Sequence, residues 1–131
     1  MRIIQPPEWP RPKGYASGVV ASGDMVFLAG IVGCRPDMTF AADDFVGQAR
    51  QAFSNIATLL KAAGARPEHL VRLTWYVADL AEYRAALAEI GKAYRDSFGR
   101  HYPAMAVLGV SGFVTPEARL EIEATAVIPR P

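Results

Sequence analysis

The residues best equipped for chemistry in this 131-residue chain are two carboxylates, Glu121 and Glu123, set two apart in an apolar–polar alternation. On a strand, where successive side chains point to opposite faces, the two share one side. Carboxylates in one environment repel, which favours protonation of one of them, and a group poised in that way can activate water and then pass on a proton. The alternative is structural, with one glutamate at a subunit interface and the other in solvent. His101 is the residue type best suited to proton traffic near pH 7, although a lone histidine is more often an ordinary surface or interface residue. Cys34 is the only cysteine, which excludes an intramolecular disulfide and a thiolate metal cage. With no base in view, it reads as a small buried hydrophobe. Tyr15 offers either a phenolic hydrogen bond or packing at the wet edge of an apolar site.

Charge narrows the partners. Fourteen Lys and Arg against thirteen Asp and Glu leave a net charge of +1, with no block of one sign, so nothing advertises a polyanion and a nucleic-acid partner is not expected. With 51% of residues hydrophobic and 21% charged, the chain can build a core without metals or disulfides. Its length is that of one domain, residues 1–131. Residues Met1 to Pro12 hold no apolar run of signal-peptide length, and no stretch reaches the roughly 20 residues of a membrane span. A cytoplasmic protein without a membrane partner is expected.

The elements that must position these residues are legible in the periodicity. Val19–Ala21 and Met25–Ala29, separated by Ser22-Gly23-Asp24, read as a hairpin, with a glycine-rich exit at Gly30 and Gly33 where backbone or ligand can come close. From Asp43 to Ala63 apolar residues recur every three or four positions, an amphipathic helix stopped by Gly64 and Pro67. Leu70 to Val77 alternates as a strand, with Val71, Leu73, Trp75 and Val77 on one side. Asp79 then caps a second helix, with Glu82 in the capping-box position and a stripe of Tyr83, Leu87, Ile90 and Tyr94 that runs to Gly99. Ala104 to Val110 and Leu120 to Ile128 are the last strands.

The order ββαβαββ implies an α+β domain in which one mixed sheet carries both helices on a single face. The other face would hold Met105, Val107, Trp75 or its neighbours and part of the hairpin. An apolar face without a helix to cover it points to association with further copies.

Several segments together resemble the Rid (YjgF/YER057c/UK114) family: Pro12-Lys13-Gly14-Tyr15, Val26-Phe27-Leu28-Ala29-Gly30-Ile31, Gln48-Ala49-Arg50-Gln51-Ala52-Phe53, Val71-Arg72-Leu73-Thr74-Trp75-Tyr76-Val77, Tyr102-Pro103-Ala104 and Leu120-Glu121-Ile122-Glu123-Ala124. The likeness spans nearly the whole chain in order. It implies a chorismate-mutase-like fold, a homotrimer whose three sheets form a barrel, and ligand clefts between subunits. It also implies hydrolysis of a small reactive imine or enamine to a carbonyl compound and ammonia, without a cofactor or metal.

Residue by residue, the resemblance makes Glu121 the carboxylate beside the reacting nitrogen and water. Tyr15 becomes a phenol lent to the cleft by an adjacent subunit, and Gly30 and Ile31 a loop whose backbone meets the ligand. His101 stands just before the cleft strand. The family's carboxylate-clamping arginine, a planar fork that bonds both oxygens, is Met105 here, and a thioether cannot replace it. Ala29 stands where many relatives carry serine, and Gly91 where some carry asparagine. Lys13, Arg35, Arg72 and Arg119 are the candidate replacement cations.

Three readings follow from this pattern. One is deamination of a non-standard substrate, larger, aromatic-derived or of aminomuconate type. Another is a trimer that binds a small metabolite in the same cleft without catalysis. Ribonuclease activity is disfavoured by the neutral charge and the lack of a histidine pair.

Overall fold

Alternation of apolar and polar residues makes the two longest strands. Leu70–Val77 (β5) and Leu120–Ile128 (β7) pair antiparallel at the centre of the sheet. The computed structural model describes residues 1–131 throughout. Ahead of them come Arg2–Ile4 (β1), Gly18–Val20 (β2), Asp24–Phe27 (β3), Ile31–Val32 (β4) and the helix Phe45–Ala62 (α1). After a single 3₁₀ turn at Pro67–His69, the remaining elements are Leu80–Ala85 (α2), Leu87–Phe98 (α3) and Ala104–Gly109 (β6). The main sheet runs β3-β7-β5-β6, with β4 also on β7. Only β5 and β6 are parallel, so this is a mixed sheet of α+β type.

The helix α1 is closed at both ends by the chemistry its sequence supplies. Asp44 accepts the Gly47 N–H at 3.0 Å, satisfying one of the free donors of the first turn. At the other end Gly64 takes a φ of +75°. The Gly64 N–H then reaches Lys61 O at 3.0 Å and the Ala65 N–H reaches Leu60 O at 2.8 Å, a Schellman pair that only a residue tolerant of left-handed backbone allows cheaply. Between the caps, Ala49, Ala52, Phe53 and Ile56 are fully buried against the sheet.

Phe53 is the hub of that contact. Its ring lies 5.5 Å from Trp75 on β5, 5.8 Å from Tyr94 and 5.4 Å from Phe98 on α3, each at a steep angle. Edge-to-face pairs contribute about 0.5–1.5 kcal/mol each beyond their area burial. One side chain therefore ties α1, the central strand and α3 together.

Four features differ from the reading of the sequence. No hairpin joins the first two runs, because β2 pairs with β1 in a separate two-stranded sheet and β3 pairs with β7. Gly23, at φ +146° against the Ile128 carbonyl, carries the chain from one sheet to the other. A register shift between Leu70 and Arg72 turns Val71 away, so Leu70 is fully buried in its place. The second helix breaks at Ala86, at φ −108° and ψ 14°, which leaves Leu87 exposed.

The fourth difference concerns the faces of the sheet. Met105 and Val107 are in register with Leu73 and Trp75, so all four point to the helix side and pack on the core. The open face carries Arg72, Thr74 and Tyr76 of β5 beside Thr125, Glu123 and Glu121 of β7, together with Met25, Phe27 and Leu108, which are 58%, 70% and 50% exposed. Its apolar residues are Met25 and Phe27, from the second run of the expected hairpin, and Leu108 of β6, whereas Met105, Val107 and Trp75 face the helices.

Candidate functional site

Glu121 stands on the open face, in register with Tyr76 on β5 and Val32 on β4. Its carboxylate folds back onto Gly30, where a Cβ on the glycine would overlap Oε1. Ile31, next along, pairs with Ile122 and is half-buried against the core. Gly30, Ile31 and Glu121 are thus brought together by β4 and β7.

Tyr76 adds what the sequence reading passed over. Its phenol donates a short hydrogen bond to Glu123 Oε1. That bond, together with the negative charges of Glu123 and Glu121, holds the phenol's pKa above its ordinary value of 10.0. The phenol thus stays neutral against Glu123, on the face that also carries Glu121, while the Glu121 carboxylate lies against Gly30. The signal was present in the alternation, because Tyr76 shares a side with Arg72 and Thr74, but the cross-strand register was needed to put it opposite Glu121.

Met105 lies on the other side of the sheet. It lines a cleft of about 480 Å³ between β6, α3 and the segment Pro12–Gly14, walled by Trp75, Tyr83, Tyr94 and Tyr102. This volume falls within the range of small-molecule sites. Tyr94 and Tyr102 stack at 5.4 Å and 19°, and the Tyr94 hydroxyl donates to the His101 carbonyl. Burial, with the nearby Tyr102 phenol adding to it, raises the Tyr94 hydroxyl's pKa well above the usual tyrosine range. The indole N–H of Trp75 is buried without an acceptor.

The N-terminal segment is tied to this cleft by a parallel bridge, in which Ala16 pairs with Ala104 and its N–H donates to Pro103 O at 2.9 Å. Tyr15, one residue before, is 42% exposed and is not part of the lining. His101 turns its ring to the Leu70 carbonyl, with Nε2 at 2.8 Å. A carbonyl only accepts, so Nε2 carries the proton, and the imidazole pins the start of β6 to the start of β5.

The candidate cations separate in space. Arg119 is held by Glu82 and by the Asp43 carbonyl. Arg72 lies in a groove with Met25 and Phe27, and Arg35 in another with Gly30, Ile31 and Cys34. Lys13 alone of the four lines the Met105 cleft, where it is joined by Arg95 of α3. Arg95 was missed because its i, i+4 relation to Gly91 has meaning only once α3 is laid against β6.

No group of three or more His, Cys, Asp and Glu residues is placed to hold a metal ion, and no helix is long and apolar enough to cross a membrane.

With this geometry in place, the comparisons with known proteins point one way. The family described as endoribonuclease L-PSP matches residues 9–128. A RutC family protein of Aquifex aeolicus is 31% identical, over 97% of this chain and 99% of its own length. A 2-iminobutanoate/2-iminopropanoate deaminase of Dermatophagoides farinae is 30% identical, over 97% and 96%. Among solved structures, YyfB of Yersinia pestis, described as a protein of unknown function of the conserved Rid family, superposes with a TM-score of 0.83 at 32% identity, covering 97% of this chain and 98% of that one.

Proposed function

The chain belongs to the endoribonuclease L-PSP family, the Rid proteins, and we propose that it hydrolyses a small reactive imine or enamine to a carbonyl compound and ammonia in a cleft completed by a neighbouring copy of itself. The observation that carries this reading is the Glu121 carboxylate resting on the side-chain-free backbone of Gly30, beside a neutral phenol and a second carboxylate. The deaminase name borne by the Dermatophagoides relative supports the same chemistry.

In the proposed reaction Glu121 accepts a proton from water as the water oxygen bonds to the C=N carbon, and passes that proton to the imine nitrogen. The resulting carbinolamine loses its C–N bond, the nitrogen leaves as ammonia, and the C=O forms as the hydroxyl gives up its proton. Water is the only co-reactant. Glu121 and the Met105 cleft occupy opposite sides of one sheet, so a single copy presents each without the other. Three copies closing their sheets into a barrel would set the Glu121 of one subunit beside the Met105 of the next, with Tyr15 and His101 at its border.

The test is incubation with freshly generated imines of several amino acids and with aminomuconate, following ammonia release for the chain and for Glu121→Gln. A general base typically contributes 10²–10⁴-fold, so the variant is expected to lose roughly 10²-fold or more. The lack of polar side chains at Ala29, Gly91 and Met105 favours a second reading, metabolite binding without catalysis. No acceleration of any substrate, together with a melting temperature that rises with ligand, would establish it.

A further inference from the structure

The helix-side cleft carries cations that nothing in the chain neutralises. Arg95 and Lys13 both line it, and neither takes part in any of the ion pairs of the chain. The carboxylate next to Arg95 in sequence, Asp96, is already shared by Arg50 at 3.1 Å and Lys92 at 3.0 Å. No acidic side chain lines the cleft.

Arg95 reaches over a turn of α3 that carries no side chain at Gly91. A Cβ on Gly91 would come within 3.2 Å of Arg95 Nη1, so glycine leaves room for the guanidinium to lie over that turn of α3. Below it the walls are apolar and aromatic, with Met105 and the stacked Tyr94–Tyr102 pair. An anionic head with a flat apolar tail matches the arrangement: a guanidinium fork bonds both oxygens of a carboxylate, and rings find partners in a thioether and in stacked phenols.

We propose that Arg95, seated over Gly91, binds the carboxylate of an aromatic or bulky apolar 2-imino acid whose side chain lies against Met105 and Tyr102. The imine comes from the reading above, on which this inference rests. The cleft's preference for a carboxylate joined to an apolar group does not depend on turnover. Arginine has thereby been replaced as clamp on β6 and supplied from α3, and the apolar surface vacated at Met105 selects the larger substrate.

Binding of unreactive acids tests this apart from catalysis. Calorimetry on the intact protein would compare 3-phenylpropanoate, its neutral amide and propanoate. Hydrogen bonds to a charged group are worth enough to change affinity by roughly 10-fold or more, so 3-phenylpropanoate is expected to bind at least about 10-fold more tightly than either analogue. Arg95→Gln should lose that margin and Arg95→Lys should recover part of it, both with an unchanged circular dichroism spectrum. Equal binding of phenylpropanoate and propanoate, an Arg95→Gln variant that binds like the parent, or no binding of phenylpropanoate would each overturn the proposal. Failure of every imine to react while the acid still binds through Arg95 would overturn only the catalytic reading.

Discussion

Gly30 and Glu121 are fitted to one another: the carboxylate occupies the space that any Cβ on residue 30 would need. Gly30→Ala is therefore expected to leave the fold intact, because β4 is short and half-buried, while pushing the Glu121 side chain off the loop. The prediction is a fall in kcat/KM of at least about 10-fold, near what misplacing a catalytic group costs. In a double-mutant cycle with Glu121→Gln the two losses should be far from additive, since both act on one carboxylate. Additive losses would show that the glycine serves something else.

Tyr76 gives a pH signature for the same face. Its phenol is held protonated chiefly by the hydrogen bond to Glu123, so it should titrate above 10 when followed by the ring carbon shift in NMR. Glu123→Gln should bring it back toward the ordinary value. The sign follows from linkage: a folded-state pKa raised above the unfolded one means that the native state holds the proton more tightly. This contribution to stability is complete below about pH 10 and disappears as the pH climbs through the raised value. A phenol that titrates normally in the parent would remove the Tyr76–Glu123 pair from the description.

Gln48 predicts a stability effect with no catalytic component. It is 1% exposed, and its amide donates to Glu117 O at 3.0 Å and to Ala42 O at 3.3 Å while its oxygen accepts the Arg119 N–H at 2.8 Å. The loops that lead into α1 and into β7 are thus held by one side chain. Gln48→Leu keeps the volume but strands buried backbone groups, each costing about 1–3 kcal/mol. A loss of about 2–4 kcal/mol in urea unfolding is expected, with little change in kcat for the protein that remains folded.

How much of this was legible in the sequence depended on whether a signal was local. Leu70–Val77 and Leu120–Ile128 announced themselves by alternation, and α1 by its period with Gly64 as stop, because both patterns are written within one element. The hairpin failed because a local turn signal at Ser22-Gly23-Asp24 was outweighed by the register of β3 on β7, a hundred residues away. Met105 was assigned to the wrong face for a related reason: on an edge strand the buried and open sides differ little in composition, and only pairing with Leu73 fixes which is which. Within the site, Glu121, Gly30 and Ile31 were found through resemblance and lie together. Arg95 carried no sequence signal at all, since one exposed arginine on a helix looks like any other.

Phe27 supplies the test of assembly. It is 70% exposed on the open face, next to Met25 at 58%, and its strand neighbour across β7 is Thr125. Side chains this large and this exposed on the face that carries Glu121 would be buried if further copies packed there, with roughly 1.5–3 kcal/mol per residue at stake. Phe27→Arg removes that gain and puts like charges together on every copy, while touching little within its own chain. Light scattering should accordingly show a trimer for the parent and a monomer for the variant, with an unaltered circular dichroism spectrum. Since Glu121 and the Met105 cleft lie on opposite sides of each sheet, the monomer should lose deamination even though every residue of both half-sites is still present. A monomer that retains full activity would mean that one copy suffices, and the cleft shared between subunits would have to be abandoned.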